Sequence, residues 1–371
     1  MMTSPTLRTE GRRITPTPTD INYKYRTMKY CVGFQLYEGG EEPFSEIVKA
    51  YKDHISEVFF AWQDIATGRS AVATRHGYTD WSAQARTEAE LRAIKQLGIK
   101  LDLLFNGNCY GEYALSEKLA NTVISVIEYL GYVGCGVDVV TTASPAIAHT
   151  VKKRFPKIEV RASVNMRIGT VKGMEYLSDL FDSFHVQREY NRDLAHLRML
   201  KEWADRANKK LIMLANSGCF ANCSGQSFHD NLVAHESEIC EVKNLDDFTP
   251  YVCWRALKNR ENWHMLLENT WVRPEDIHHY EGILDIVKLA TRMHSLPGMV
   301  IDAYARGKFV GNTLDLFEPG FGRAIAPYII SNQDFPQNWF TKTSSCDKMC
   351  HRCGYCKTVL EEVLINTEEN V

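Results

Sequence analysis

The stretch "YVGCGVDVVTTASPAIAHTVKKRFPKIEVRASVN", residues 132–165, decides how the chain is read. Two apolar runs, "YVGCGVDVV" and "KIEVRASVN", flank "SPAIAHTVKKRF", a segment with helical spacing. Strand, helix and strand in that order make the unit of a parallel sheet. The strand-like runs are close to continuous rather than strictly alternating, as strands covered on both faces should be.

The unit repeats outward in both directions. Before it come "YCVGFQL" with "EPFSEIVKAYKDH", "ISEVFFAW" with "SAQARTEAELRAIKQLG", and "IKLDLLFNG" with "SEKLANTVISVIEYLG". After it come "KGMEYLSDL", then "FDSFHVQ" with "DLAHLRMLKEWADRAN", and a seventh strand in "KKLIMLANS". An eighth unit arrives late. "RPEDIHHYEGI" reads as a helix with Pro274 at its first position and acids in its first turn. "LDIVKLA" then reads as a strand and "LPGMVIDAYARG" as a helix. Eight alternations predict an α/β fold, a TIM-type (β/α)8 barrel. A doubly wound open sheet is the alternative, weakened because no phosphate-cradling glycine fingerprint follows a strand.

This predicts a disordered tail over residues 1–28, where "TPTPTD" sits without apolar periodicity, a barrel over 29–310, and a C-terminal extension over 311–371 carrying a Cys-rich loop. A transit-like signal is a lesser reading of the tail. A net charge of -3 and a pI near 6.5 argue against a nucleic-acid binder, which needs a basic face. No run of eighteen apolar residues and no signal-peptide core occur, so a cytoplasmic protein without a membrane span is expected.

Eleven cysteines without export signals do not suggest a disulfide framework. Cys31, Cys109 and Cys135 are isolated and read as buried structural thiols. Cys219 and Cys223 follow the seventh strand directly, on the face where a barrel carries its active site. Closely spaced thiolates on one loop suit adjacent corners of an iron–sulfur cluster. Cys253 is the first choice for a further ligand, with Cys240 and Cys109 competing for a fourth place. The second set, in "SSCDKMCHRCGYCK", spaces Cys346, Cys350, Cys353 and Cys356 as C-x3-C-x2-C-x2-C. It suits a second iron–sulfur cluster, with zinc as the alternative, because zinc ribbons split their ligands into two separated knuckles. The first three cysteines of the run also match the radical-SAM spacing, but that motif belongs after the first strand.

Polar residues at the predicted strand ends complete the candidate site: Gln35, Trp62, Asn106, Asn165, Arg167, Gln187, Glu189, Asn216 and Arg292. Singly each is an ordinary loop residue or cap; as a ring they suit a small polar or anionic ligand. His278 and His279 read as surface residues, and His229 as a support for the cysteine loop. Neither a zinc-protease H-E-x-x-H nor a serine elbow is present.

"NSGCFANCSGQSFHDN", the cysteine of "YVCW" and "WVRPEDIHHYE" together resemble the collagenase-like peptidase U32 family, over about residues 29–310. The Cys-rich end resembles the tail of one branch of that family. The resemblance implies a TIM barrel with an oxygen-sensitive 4Fe–4S cluster, hydroxylating RNA bases or a ubiquinone precursor without molecular oxygen, with prephenate as oxygen donor. The cysteines matching the family's cluster set are Cys219, Cys223 and Cys253. In the commonest pattern a second close pair follows the first; here Cys240 is offset from that place, which would leave an iron open to substrate. The expected roles are carboxylate binding by Arg167 or Arg292, with Glu189 beside them, on a small metabolite rather than RNA, given the neutral charge. Some relatives are heterodimers, so a paralogous partner is expected. The competing readings are a peptidase, as the family name says, and a metal-bearing electron-transfer or binding partner.

Overall fold

The computed structural model describes residues 28–38, 40–62 and 80–368. The tail expected over 1–28 therefore lies outside the described residues, except for Met28, which is buried. Eight strands form a closed barrel in sequence order: β1 (Tyr30–Gly33), β2 (Ile55–Ala61), β3 (Lys100–Phe105), β4 (Val139–Thr142), β5 (Glu159–Ala162), β6 (Ser183–His185), β7 (Lys210–Leu214) and β8 (Ile286–Leu289). Every pairing is parallel, and β8 closes on β1 with Val32 opposite Leu289. This is the TIM-type barrel; the open sheet is excluded by that closure.

The helices form where the sequence supplies a start and an apolar stripe. Ser116 caps Glu117–Tyr132 by accepting from the Leu119 amide at 3.1 Å, and Val123, Ile127 and Leu130 recur on the buried face. Ser144 caps Pro145–Arg154, whose proline has no amide to leave unsatisfied and whose last turn carries Lys152, Lys153 and Arg154 against the negative end of the helix. One expectation changes. "RPEDIHHYEGI" forms a 3-10 helix over Pro274–Tyr280 rather than an α-helix. Arg273 reaches Asp276, three residues on, at 2.9 Å, and Tyr280 donates to the Asn191 carbonyl at 2.7 Å. The i,i+3 register and that anchor favour the tighter winding.

The two faces of the strands differ. Outward residues such as Val32, Val58, Leu101, Val140 and Val287 pack against the helices in one large core. Inward, Cys31, Phe59, Leu104, Ile212 and Ile286 form a small apolar layer, accompanied by buried charge. The Arg161 guanidinium sends two bonds to Glu57, at 2.6 and 3.1 Å, one to Glu159 at 2.7 Å and one to Ser183 at 3.0 Å. Burial works against ionisation of Glu159, but Arg161 and Lys210 hold it down at about 2. Asp102 goes the other way: burial pushes it up to about 6, although Arg161 and Lys288 pull it down.

A second core lies outside the barrel. Trp271, from the segment between β7 and β8, stacks on Phe317 at 4.8 Å and on Trp339 at 5.8 Å. Leu266, Leu267, Ile325, Val359 and Val363 complete it, together with a two-stranded antiparallel sheet, β9 (Tyr328–Ile330) and β10 (Leu364–Asn366). The C-terminal residues are thus packed into one unit with the β7–β8 segment rather than hung after the barrel. No helix among the described residues is long and apolar enough to cross a membrane.

Candidate metal centre and pocket

β7 delivers the cysteine loop to the mouth of the barrel. Asn216 is buried there, with its amide nitrogen donating to the carbonyls of Ala290 (3.0 Å) and Leu316 (2.9 Å) and its oxygen accepting from the Ala290 amide. It staples the loops after β7 and β8 to the C-terminal segment. Two residues on, a Cβ at Gly218 would come within 2.1 Å of the Pro319 carbonyl oxygen, so only glycine lets the chain pass there. These constraints hold Cys219 beneath residues 317–319.

Cys219, Cys223 and Cys253 are brought together. Burial raises the Cys253 thiol, and Cys219 and Cys223 raise it further as neighbouring negative charges. Arg188 lies half-buried beside Cys219. Burial presses its guanidinium toward neutrality, while its hydrogen bond to Cys219 and the neighbouring Cys219, Glu189 and Asp230 together outweigh this and hold the cation. Arg188 also donates to Ser217 at 2.9 Å. Cys240 stands apart, exposed at the end of the helix Glu236–Cys240, and is not among the groups that shift Cys253. Cys109 accepts from the Gly111 amide at 3.4 Å and lines a different cavity with His235 and Glu238.

Below Cys219 a cavity of about 170 Å³ opens over the end of the barrel. Asn106, Asn165, Asp230, Lys288 and Arg292 reach its wall. Asn165 donates to the Asn106 carbonyl at 3.1 Å, and Arg167 lies 4.0 Å from Asp230. Among the described residues, Asn106 Oδ1, Arg167 Nη2 and Asp230 Oδ2 are buried without a hydrogen-bond partner. Orphaned polar atoms at a cavity favour a polar ligand that satisfies them. His229 also lines it, edge-on to Tyr251 at 5.0 Å.

The other expected ring members have structural work. Gln35 donates to the carbonyls of Thr291 (2.5 Å) and His294 (2.6 Å), and Trp62 packs beside Tyr129. Gln187 lies before Arg188 at the N-terminal end of a 3-10 turn. Glu189 turns away from the cavity wall: its side chain accepts from the Asn222 amide in the cysteine loop, and its carbonyl accepts from Lys348 in the C-terminal run. Lys288, Arg188 and Asp230 are the site residues that sequence reading missed. A lysine inside the apolar run "LDIVKLA" is the one signal that pointed to the first of them.

The C-terminal cysteines form a second gathering. Burial raises the thiol of Cys350, with Glu268, Cys346 and Cys353 adding to it. Cys356 is pushed up to about 12 by burial first, then by Glu268, Cys350 and Cys346, against the pull of Arg192. Arg192 lies half-buried between the rings of Trp271 and Trp339, at 5.3 and 5.5 Å, and donates to the Leu267 carbonyl at 3.1 Å. Its other terminal nitrogen is buried without a hydrogen-bond partner among the described residues. A cation with spare donors beside Cys356 and Cys346 fits a negatively charged metal–thiolate centre.

Among the described residues, one trio of donors crowds within 4.8 Å of one another: Cys31, Glu57 and Asp102. Arg161 already occupies that trio's carboxylates, so it needs no ion.

No family model matches the chain. It is 23% identical to an uncharacterized protease of Methanocaldococcus jannaschii, over 86% of this chain and 92% of that one. A solved U32 peptidase aligns with 73% of this chain and 95% of its own at 16% identity and a TM-score of 0.47. Phosphoribosylanthranilate isomerase from Thermotoga maritima aligns with 76% of this chain and 98% of its own at 8% identity and a TM-score of 0.38. The structural likenesses are too loose to carry weight of their own. The resemblance to the peptidase U32 family agrees with the curated relative, which is itself named a protease.

Proposed function

We propose that this U32-like chain is an iron–sulfur enzyme performing oxygen-independent hydroxylation, or a related redox modification, of a small anionic metabolite. The observation that carries this is the meeting of Cys219, one of three gathered cysteines, with a cavity walled by cations and orphaned polar atoms. A 4Fe–4S cluster on Cys219, Cys223 and Cys253 would supply electron transfer, or Lewis acidity at an iron lacking a fourth thiolate. Cys240 could complete the set only if its exposed helix moved. Arg188 is hydrogen-bonded to Cys219 and places a cation beside it. Arg292, or Arg167 at the rim, takes a substrate carboxylate in two hydrogen bonds, which a lysine cannot offer. Asn106 has an oxygen left to orient a hydroxyl or ammonium group. Prephenate as oxygen donor and a paralogous partner come with the family resemblance. Cys346, Cys350, Cys353 and Cys356 would hold a second cluster, which closes with four thiolates and suits electron supply.

A peptidase is the second reading, favoured by the name of the relative. In it Cys219, hydrogen-bonded to Arg188, is the nucleophile. The two part on one experiment: iron, sulfide and zinc analysis of anaerobically purified protein, with C219A/C223A and C346A/C350A alongside. We expect about eight irons per chain, halved by either double variant. About one zinc with no sulfide, lost only in the tail variant, would overturn the redox reading. Hydrolysis of peptides by metal-free protein would then favour the peptidase.

A further inference from the structure

Lys288 sits where a lysine is costly. It lies on β8 with its side chain turned inward, fully buried, and its amine lies 3.9 Å from the centre of the Phe59 ring. Among the described residues no carboxylate pairs with it and no hydrogen bond to its Nζ forms. Asp102, the acid facing it from β3, is itself held toward neutrality by burial. An ammonium so placed loses hydration and recovers only part of it, from the Phe59 ring face and the nearby Asp102 and Cys31. Burial accordingly lowers the Lys288 amine, Arg161 and Arg292 lower it further, and Cys31 and Asp102 offset only part of this. Yet Lys288 also lines the cavity, together with Arg292. Buried cations that are purely structural usually face their counter-charges; this one shares a wall with open space and a second cation.

We propose that Lys288 is a nucleophilic amine that captures the carbonyl carbon of a small oxo acid as an imine, with Arg292 receiving the acid's carboxylate. The Nζ lone pair attacks the carbonyl carbon, the carbonyl oxygen leaves as water with the two amine hydrogens, and the imine nitrogen takes up a proton. No oxidant or reductant is consumed, and hydrolysis reverses the step. A desolvated lysine in a hydrophobic setting is the usual way such amines are activated. The size of the cavity restricts the ligand to a few heavy atoms beyond the carboxylate and carbonyl.

The inference shares the cavity of the preceding reading but not its cluster. The test is reductive trapping: full-length, anaerobically purified protein with pyruvate and sodium cyanoborohydride, read by intact mass and peptide mapping. One reduced adduct per chain is expected, on residue 288, forming at least about tenfold faster than on surface lysines and rising with pH as the amine deprotonates. Lys288→Arg keeps the charge and should abolish the adduct, and C219A/C223A should retain it whether or not iron is bound. Adducts scattered over surface lysines, with none at residue 288, would overturn the proposal and leave Lys288 as the counter-charge of Asp102. The mapping on wild-type protein decides this even if the variant fails to fold.

Discussion

The two cysteine gatherings are served by one short loop and have different surroundings. Arg188 and Arg192 stand four residues apart between β6 and the helix Leu194–Arg206, and both are half-buried. Arg188 faces Cys219 at a cavity with unsatisfied polar atoms; Arg192 faces Cys356 and Cys346, sealed between two tryptophans. A metal centre that meets substrate needs space and spare hydrogen-bonding capacity beside it. A centre that supplies charge or rigidity needs enclosure and a fixed counter-charge. The difference lies in the surroundings of the sulfurs, not in the cysteines themselves.

The largest way to break that comparison is through the shared core beneath the tail site. Trp271→Ala removes the ring between Phe317 and Trp339 and should cost about 3–5 kcal/mol, measured by chemical denaturation. Metal at the C-terminal run should be lost with it, while the barrel set is retained. Loss of both together would show that the two sites are one folding unit.

Exchanging the arginines is the sharper test. Arg192→Met should weaken metal retention at the C-terminal run by about tenfold, as loss of an outer partner of a metal site commonly does, and leave the barrel set unchanged. Arg188→Met should do the reverse. Each can be read by iron release to a chelator in the double-cysteine variant that isolates one site. Equal effects of both substitutions on both sites would sink the division of labour.

The smallest expected effect concerns the barrel floor, remote from the tail site. Asp102 in the folded chain titrates near 6, above the ordinary 3.8. The folded state therefore binds more protons than the unfolded one in that interval, and this group's contribution to stability declines as pH rises from 3.8 to about 6. Glu159, held at about 2, works oppositely: its contribution is present above 4.5 and lost as pH falls toward 2. Asp102→Asn should flatten the decline between pH 4 and 6 by about 1–2 kcal/mol in thermal or urea unfolding. Metal content of the C-terminal run should not move. An unchanged pH profile would mean that Lys288 and Arg161 keep Asp102 ionised throughout.

Much of the candidate site was legible because its chemistry is written in residue type. Cys219, Cys223 and Cys253 declare themselves by spacing and by resemblance, and the helix Val252–Leu257 carries the third of them to the other two. Glu189 reads as a strand-end carboxylate, and only the fold shows that its hydrogen bonds run to the Asn222 amide and Lys348. Arg188 and Arg192 sit at the two ends of "REYNR" and gave no hint that they face two different sites. Lys288 hid inside an apolar run because β-strand alternation, blurred when both faces are buried, does not say which residues point into a lumen.

The order of eight strands and helices was determined by the sequence alone, because periodicity and capping act locally, within a few residues of each other. Closure of β8 on β1, the lumen charges around Arg161, and the fusion of the C-terminal residues with the β7–β8 segment were decided by tertiary structure. Each joins residues distant along the chain, where burial and desolvation, which no local pattern encodes, set which groups can be charged and which must be paired.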